Sequence, residues 1–156
     1  MNPRPALIAF DGSPSAEHAI HEAAALLTVR TALIVTVWEA GAAYATLEGP
    51  SFPAAPLDFA AAAQADEAML ESVRHTADRG AALAARAGFE RPEALVAPDE
   101  GSVAATIARL AREHDARVIV VGSHGRNRIS EVLLGSTSRA LVESADRPVM
   151  VVRPPD

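Results

Sequence analysis

The chain contains no cysteine, which excludes a disulfide framework, a thiolate nucleophile, a zinc-thiolate site and an iron-sulfur cluster, and fits a reducing compartment. It contains no lysine either. All fourteen basic residues are arginine, so a P-loop, whose lysine sits on the phosphates, and Schiff-base chemistry are both excluded. Positive charge is in deficit overall, with a formal net charge of −6, and this argues against a nucleic-acid backbone as partner, since such proteins concentrate positive charge. A small anion remains compatible where local donors outweigh the net field. Long hydrophobic runs are missing as well. Pro5 to Phe10 is too short for the core of a signal peptide and is ended by Asp11; Ala23 to Trp38 is interrupted by Arg30 and falls short of a bilayer span. The expectation is a soluble, cytoplasmic protein with no membrane and no nucleic-acid partner.

What is present suffices for one core. The 156 residues suit a single domain over 1–156. Of the 77 apolar residues, 35 are alanine and 42 are larger, which is too hydrophobic for disorder. Four runs read as strands: Ala6 to Phe10, Ala32 to Trp38, Val118 to Val121 and Val149 to Val152. They are nearly continuous and β-branched, as in parallel strands covered on both faces. A weaker fifth run, Glu93 to Ala97, lies between Pro92 and Pro98.

Helical segments alternate with these runs. The first is predicted from Ser13-Pro14, a capping hydroxyl followed by proline at the first helical position, to about Val29, with Ala16, Ile20, Ala24 and Leu27 inward. The second covers about Phe59 to Ala87, is rich in alanine and stops at Gly88. The third runs from about Ser102 to His114, with Val103, Ile107, Leu110 and Ala111 on one face, and the fourth from about Ser136 to Ser144. Glu39 to Leu57, with Pro50, Pro53 and Pro56, reads as a mobile surface loop. Strict alternation of strand and helix calls for right-handed crossovers and an α/β layered domain.

The informative segment is Val118 to Ser138, VIVVGSHGRNRISEVLLGSTS. A buried strand ends at Gly122, a turn follows through Ser123, His124 and Gly125, and nine residues later Gly135-Ser136-Thr137-Ser138 opens a helix. Glycines admit close approach of a ligand to the backbone, and unpaired amides at a helix start favour an anion such as phosphate. Spacing alone leaves a second reading open, in which the glycines only turn the chain and Ser136 is an N-cap.

The same segment resembles the Gly-x2-Gly-x9-Gly-Ser/Thr signature of the universal stress protein family, in its ATP-binding branch, with Gly122, Gly125, Gly135 and Ser136 at the signature positions. Asp11-Gly12-Ser13 after the first strand, Thr36-Val37 in the second and the close on Arg147-Pro148-Val149-Met150-Val151-Val152 extend the resemblance over nearly the whole chain. The resemblance implies a doubly wound, five-stranded parallel sheet of order 3-2-1-4-5 with helices on both faces. It implies ATP as ligand, with ribose and phosphates wrapped by Gly122, His124, Gly125, Gly135, Ser136, Thr137 and Ser138. Asp11 then lies beside the nucleotide, orienting a ribose hydroxyl or helping to hold Mg2+. Adenine is held by main-chain groups at Val37, near Ala9, which stands where some members have proline. It also implies a homodimer through antiparallel pairing of Val149 to Val152.

Other residues carry weaker signals. His124 could donate to phosphate or simply face solvent, Arg126 and Arg128 could screen phosphate charge, and Asp11 could merely cap the first helix. His18 and His21 stand at metal-ligand spacing without a third ligand. Ser123 sits in GSHG rather than in a nucleophile elbow. The leading expectation is a nucleotide-dependent binding or switch module with slow or no ATP hydrolysis. Against it stands a dimeric stress protein acting through its surface, with weak or different nucleotide binding. An adenylating enzyme or ATP pyrophosphatase needs a Ser-Gly-Gly-x-Asp-Ser type loop, and a Rossmann dehydrogenase needs G-x-G-x-x-G after a strand; the chain has neither.

Overall fold

In the computed structural model, which describes residues 4–42, 58–124 and 134–154, five strands form one parallel sheet. These are β1 (Ala6–Ala9), β2 (Ala32–Trp38), β3 (Glu93–Pro98), β4 (Val118–Gly122) and β5 (Val149–Val152), in the order β3-β2-β1-β4-β5. This is the expected doubly wound order. The chain moves outward from β1 through β2 to β3, then crosses back to β4 and on to β5, so the winding reverses between β1 and β4. Among the described residues four helices connect the strands: α1 (Pro14–Leu26), α2 (Phe59–Ala87), α3 (Val103–Glu113) and α4 (Ser136–Ser144).

The continuous apolar strands divide between two cores, because successive side chains point to opposite faces. From β1 and the residue that follows it, Ala6, Ile8 and Phe10 pack with α1 and the C-terminal half of α2, while Leu7 packs with α3 and α4. Ala6, Leu7 and Ile8 of β1 and Phe10 just after it are buried, and Ala9 is half-buried. That two-sided burial is why β1 has no polar alternation. On the α1 side the core is thin. α2 buries Ala62, Ala77, Gly80 and Ala84, and Gly80 is needed because a Cβ there would fall 2.7 Å from Phe10 Cδ1 and 2.8 Å from Ile34 Cγ2. The helix stops at Gly88, whose φ of +114° is a left-handed conformation that favours glycine.

Two expectations need correction. α1 ends at Leu26 rather than near Val29: Leu27 is already extended, with φ −87° and ψ 141°. The extended exit lets Leu27 and Val29 pack back on the core, and Arg30 Nη1 donates to the Ala24 carbonyl at 3.3 Å, covering a helix-end acceptor. Val103 is not inward with Ile107, Leu110 and Ala111, which are buried; it is 37% exposed. It stands at the first residue of α3 and lines the open cleft at the carboxyl ends of the strands rather than the closed core. The remainder of Glu39 to Leu57 after residue 42, together with Gly125, Arg126 and Arg128, lies outside the described residues.

Candidate functional site

A cleft of about 750 Å3 opens at the carboxyl ends of β1, β2 and β4, at the point where the winding reverses. Two helices leaving the sheet in opposite directions cannot cover the strand ends between them, so a crevice is the expected consequence of the topology. Its β1 side is Ala9, Phe10 and Asp11. The end of β1 is fixed from inside by Thr36, whose buried Oγ1 donates to the Phe10 carbonyl at 2.8 Å. Asp11 then turns the chain by accepting the Ser13 amide on Oδ1 at 2.9 Å. Gly12 follows with φ +81°. Ser13, not Asp11, is the N-cap of α1, its Oγ accepting the Ala16 amide at 3.2 Å, so the carboxylate of Asp11 stays at the cleft.

On the β4 side, Gly122 has a packing reason to be glycine. A Cβ there would sit 2.5 Å from Ser15 Oγ and 3.0 Å from the Ser15 backbone, so α1 and β4 touch through this position. The next residue, Ser123, is buried and donates its amide to the Val152 carbonyl at 2.8 Å. Its carbonyl accepts both the Gly135 amide at 2.7 Å and the Ser138 hydroxyl at 3.2 Å. These bonds pin the start of α4 against the end of β4. Ser138 is therefore turned into the protein, also bonding the Gly135 carbonyl at 3.0 Å. Ser123 Oγ and His124 Nδ1 share a hydrogen bond of 3.0 Å, while the buried Nε2 of His124 has no hydrogen-bond partner among the described residues.

The amino end of α4 differs from the others. Side-chain oxygens close α1 through Ser13, α2 through Asp58 at 2.9 Å to the Ala61 amide, and α3 through Ser102 at 3.1 Å to the Ala105 amide. The N-cap of α4 is Gly135, with no side-chain cap. The first-turn amides of a helix have no intrahelical acceptor, and here no side chain of the cap supplies one. They carry the positive end of the helix dipole at the cleft.

Nine of the ten site residues expected from sequence, Ala9, Asp11, Val37, Gly122, His124, Gly135, Ser136, Thr137 and Ser138, line this one cleft; Gly125 lies outside the described residues. The sequence reading missed its apolar wall. Val35 and Val37 of β2 and Val103 and Ile107 of α3 line the cleft, and the signal was Val103, an apolar residue at a helix start. Arg139 and Glu143 were missed as well. Their spacing from Ser136, three and seven residues, places all three on one helix face. His18 and His21 gather no metal site: His18 lies 4.0 Å from Glu22, and no group of three or more potential ligands occurs among the described residues.

The sequence pattern of the Universal stress protein family matches residues 3–153. The chain belongs to that family. A 39-residue stretch is 56% identical to a universal stress protein of Mycolicibacterium smegmatis, covering 25% of this chain and 13% of that protein. A 47-residue stretch is 34% identical to a universal stress protein of Methanocaldococcus jannaschii, covering 30% and 29%. The matched stretches thus span less than a third of either relative's own length. The solved structure of the M. jannaschii protein superposes with a TM-score of 0.75 at 18% identity over 100% of this chain and 99% of that one. A universal stress protein from Archaeoglobus fulgidus, solved in complex with dAMP, does so with a TM-score of 0.64 at 22% identity over 97% and 98%. At these identities the likeness is one of fold. Among the described residues of this universal stress protein no helix is long and apolar enough to cross a membrane.

Proposed function

We propose that this universal stress protein binds ATP with Mg2+ in the cleft between β1 and β4 and works, as a single domain over 1–156, as a nucleotide-dependent binding or switch module in the stress response. The observation that carries the reading is the uncapped amino end of α4 at Gly135, facing the same cleft as Asp11. Uncapped amides suit phosphate oxygens. The apolar lining of the cleft, with Val37 and the exposed Val103, suits a flat apolar base, and the dAMP complex of the A. fulgidus relative supports an adenine nucleotide as the ligand class. Asp11 would contribute one carboxylate to Mg2+, the remaining ligands coming from phosphate and water, which is the usual balance for that ion.

Rapid turnover is not part of this reading. Fast phosphoryl transfer needs cations fixed on the γ-phosphate and an aligned base, and the chain has no lysine. We infer that hydrolysis is slow or absent. Mass spectrometry of nucleotide released from the denatured, purified protein tests the ligand directly: ATP is expected, and a protein that purifies and titrates empty overturns the reading.

The reading includes a homodimer. β5 is a sheet edge whose Val149, Met150 and Val151 are only half-buried, and an apolar edge of this kind invites pairing. Sedimentation at tens of micromolar is expected to give a dimer that Val151→Asp weakens; a wild-type monomer rules the dimer out.

A further inference from the structure

Phe10, Asp11 and Gly12 link the end of β1 to the Ser13 cap of α1, and the link is held from outside the cleft by a residue of α2. Arg79 Nη2 donates to the Gly12 carbonyl at 2.9 Å. Arg79 Nη1 lies 3.2 Å from Glu17 Oε1 in the first turn of α1. The guanidinium carbon sits 5.6 Å from the centroid of the Phe10 ring, within cation-π range. One planar group thus bridges the last residue before Asp11, the peptide after it, and the helix that follows. Gly80, the next residue of α2, makes the reach possible, because its missing side chain lets the helix lie against Phe10 and Ile34.

The geometry points to Arg79 as a positioning residue for the nucleotide site, an inference that rests on the reading above. Arg79 is not among the residues lining the cleft. It acts through the loop: it fixes the Gly12 carbonyl on the outer side, while the Ser13 amide fixes the Asp11 carboxylate on the other. A loop already held in its binding geometry loses less conformational freedom when ligand arrives. Lysine cannot replace the arginine fully, since a single ammonium lacks the planar fork that serves the Gly12 carbonyl, Glu17 and the Phe10 face together.

The test compares the wild type with Arg79→Met and Arg79→Lys in the full chain, using hydrogen exchange at the Gly12 and Ser13 amides without nucleotide, the ATP dissociation constant by calorimetry with Mg2+, and the melting temperature. Arg79→Met is expected to speed exchange at Ser13 by about tenfold and to weaken ATP binding by about three- to tenfold, the ion pair being partly exposed. Its melting temperature should stay within about 2 °C of wild type, with Arg79→Lys intermediate in the first two measurements. Unchanged exchange or unchanged affinity in Arg79→Met overturns the inference. So does faster exchange spread over the whole sheet with a matching fall in melting temperature, which marks a merely structural role. A wild type that binds no ATP instead overturns the functional reading beneath it, and faster exchange at Ser13 then describes a loop tether with no binding role.

Discussion

The amino ends of α1 and α4 flank the same cleft, yet only the first is closed by the side chain of its own cap. At α1, Pro14 has no amide to satisfy, the Ser13 hydroxyl takes the Ala16 amide, and the Ser13 amide is taken by Asp11. At α4 the cap is Gly135, and the buried hydroxyl of Ser138 turns inward to the carbonyls of Ser123 and Gly135. The first arrangement spends its polar groups on stability. The second gives the first-turn amides no acceptor from the side chain of the cap. The contrast distinguishes two helix ends that glycine spacing cannot, because both Gly12 and Gly135 look alike in sequence, and under the proposed function it makes the first scaffold and the second site.

The largest expected effect comes from closing the open end. ATP at about 100 times its dissociation constant should stabilise the wild type by ~2.7 kcal/mol, a melting shift of roughly 5 to 11 °C for a chain of this size. Gly135→Asp places a carboxylate at the cap, where it can take the free amides and repel phosphate. A Cβ there would lie 3.1 Å from the Ser123 carbonyl oxygen, a tight contact that the cap gain of a few tenths of a kcal/mol partly offsets. The variant should fold and lose the ATP shift. If it keeps the shift, the α4 end is not the phosphate site.

Next is the contact that closes α1 against β4. Gly122→Ala drives a methyl group to within 2.5 Å of Ser15 Oγ, and overpacking of this kind costs about 1–3 kcal/mol. Denaturant melts should show that loss, with Ser15→Ala in the same chain restoring part of it. Recovery must be incomplete, because the Ser15 backbone is also only 3.0 Å away. An alanine variant as stable as wild type would show that α1 is free to move off the strand.

The strands were legible because burial on both faces leaves continuous Val, Ile and Leu, and β2 and β5 occur at the expected residues. Helix caps were legible too, since Ser13-Pro14 and Gly88 signal through local backbone chemistry. What local sequence could not reveal were contacts made across the fold. Gly122 reads as a ligand glycine, but its constraint comes from Ser15, more than a hundred residues earlier in the chain. Ser138 reads as one more hydroxyl for phosphate, and its burial depends on the Ser123 carbonyl. Arg79 carries no signal at all, because its meaning lies in Gly12 and Glu17 of other elements.

A smaller effect puts the comparison in one experiment. Ser13→Ala removes a cap and should cost about 1 kcal/mol, read as a melting loss of roughly 2–4 °C, with the ATP-induced shift nearly unchanged. Ser136→Ala removes a hydroxyl from a helix that does not use it as a cap, so stability should hold within about 0.5 kcal/mol while ATP affinity falls. Equal behaviour of the two variants would erase the distinction between a closed end and an open one.

The smallest effect is expected at His124, the residue at the end of β4 that invites a catalytic reading. Its Nδ1 is engaged with Ser123 Oγ at 3.0 Å, and Ser123 is itself held by Val152 and α4, so the ring is positioned by scaffold bonds. Its Nε2 is buried without a partner among the described residues, which suits a donor to a ligand oxygen better than a base that must exchange protons with water. A base also needs an aligned nucleophile and fixed cations beside it. His124→Ala should therefore weaken ATP binding a few-fold, by less than about 1 kcal/mol, and leave turnover unchanged at a level far below the enzyme median of about 10 per second. Single-turnover ADP release with Mg2+, with Ser136→Ala as the control for a contaminating ATPase, measures both quantities. A rate above roughly one per second that vanishes in His124→Ala would make the open helix end part of a catalytic centre rather than a binding site.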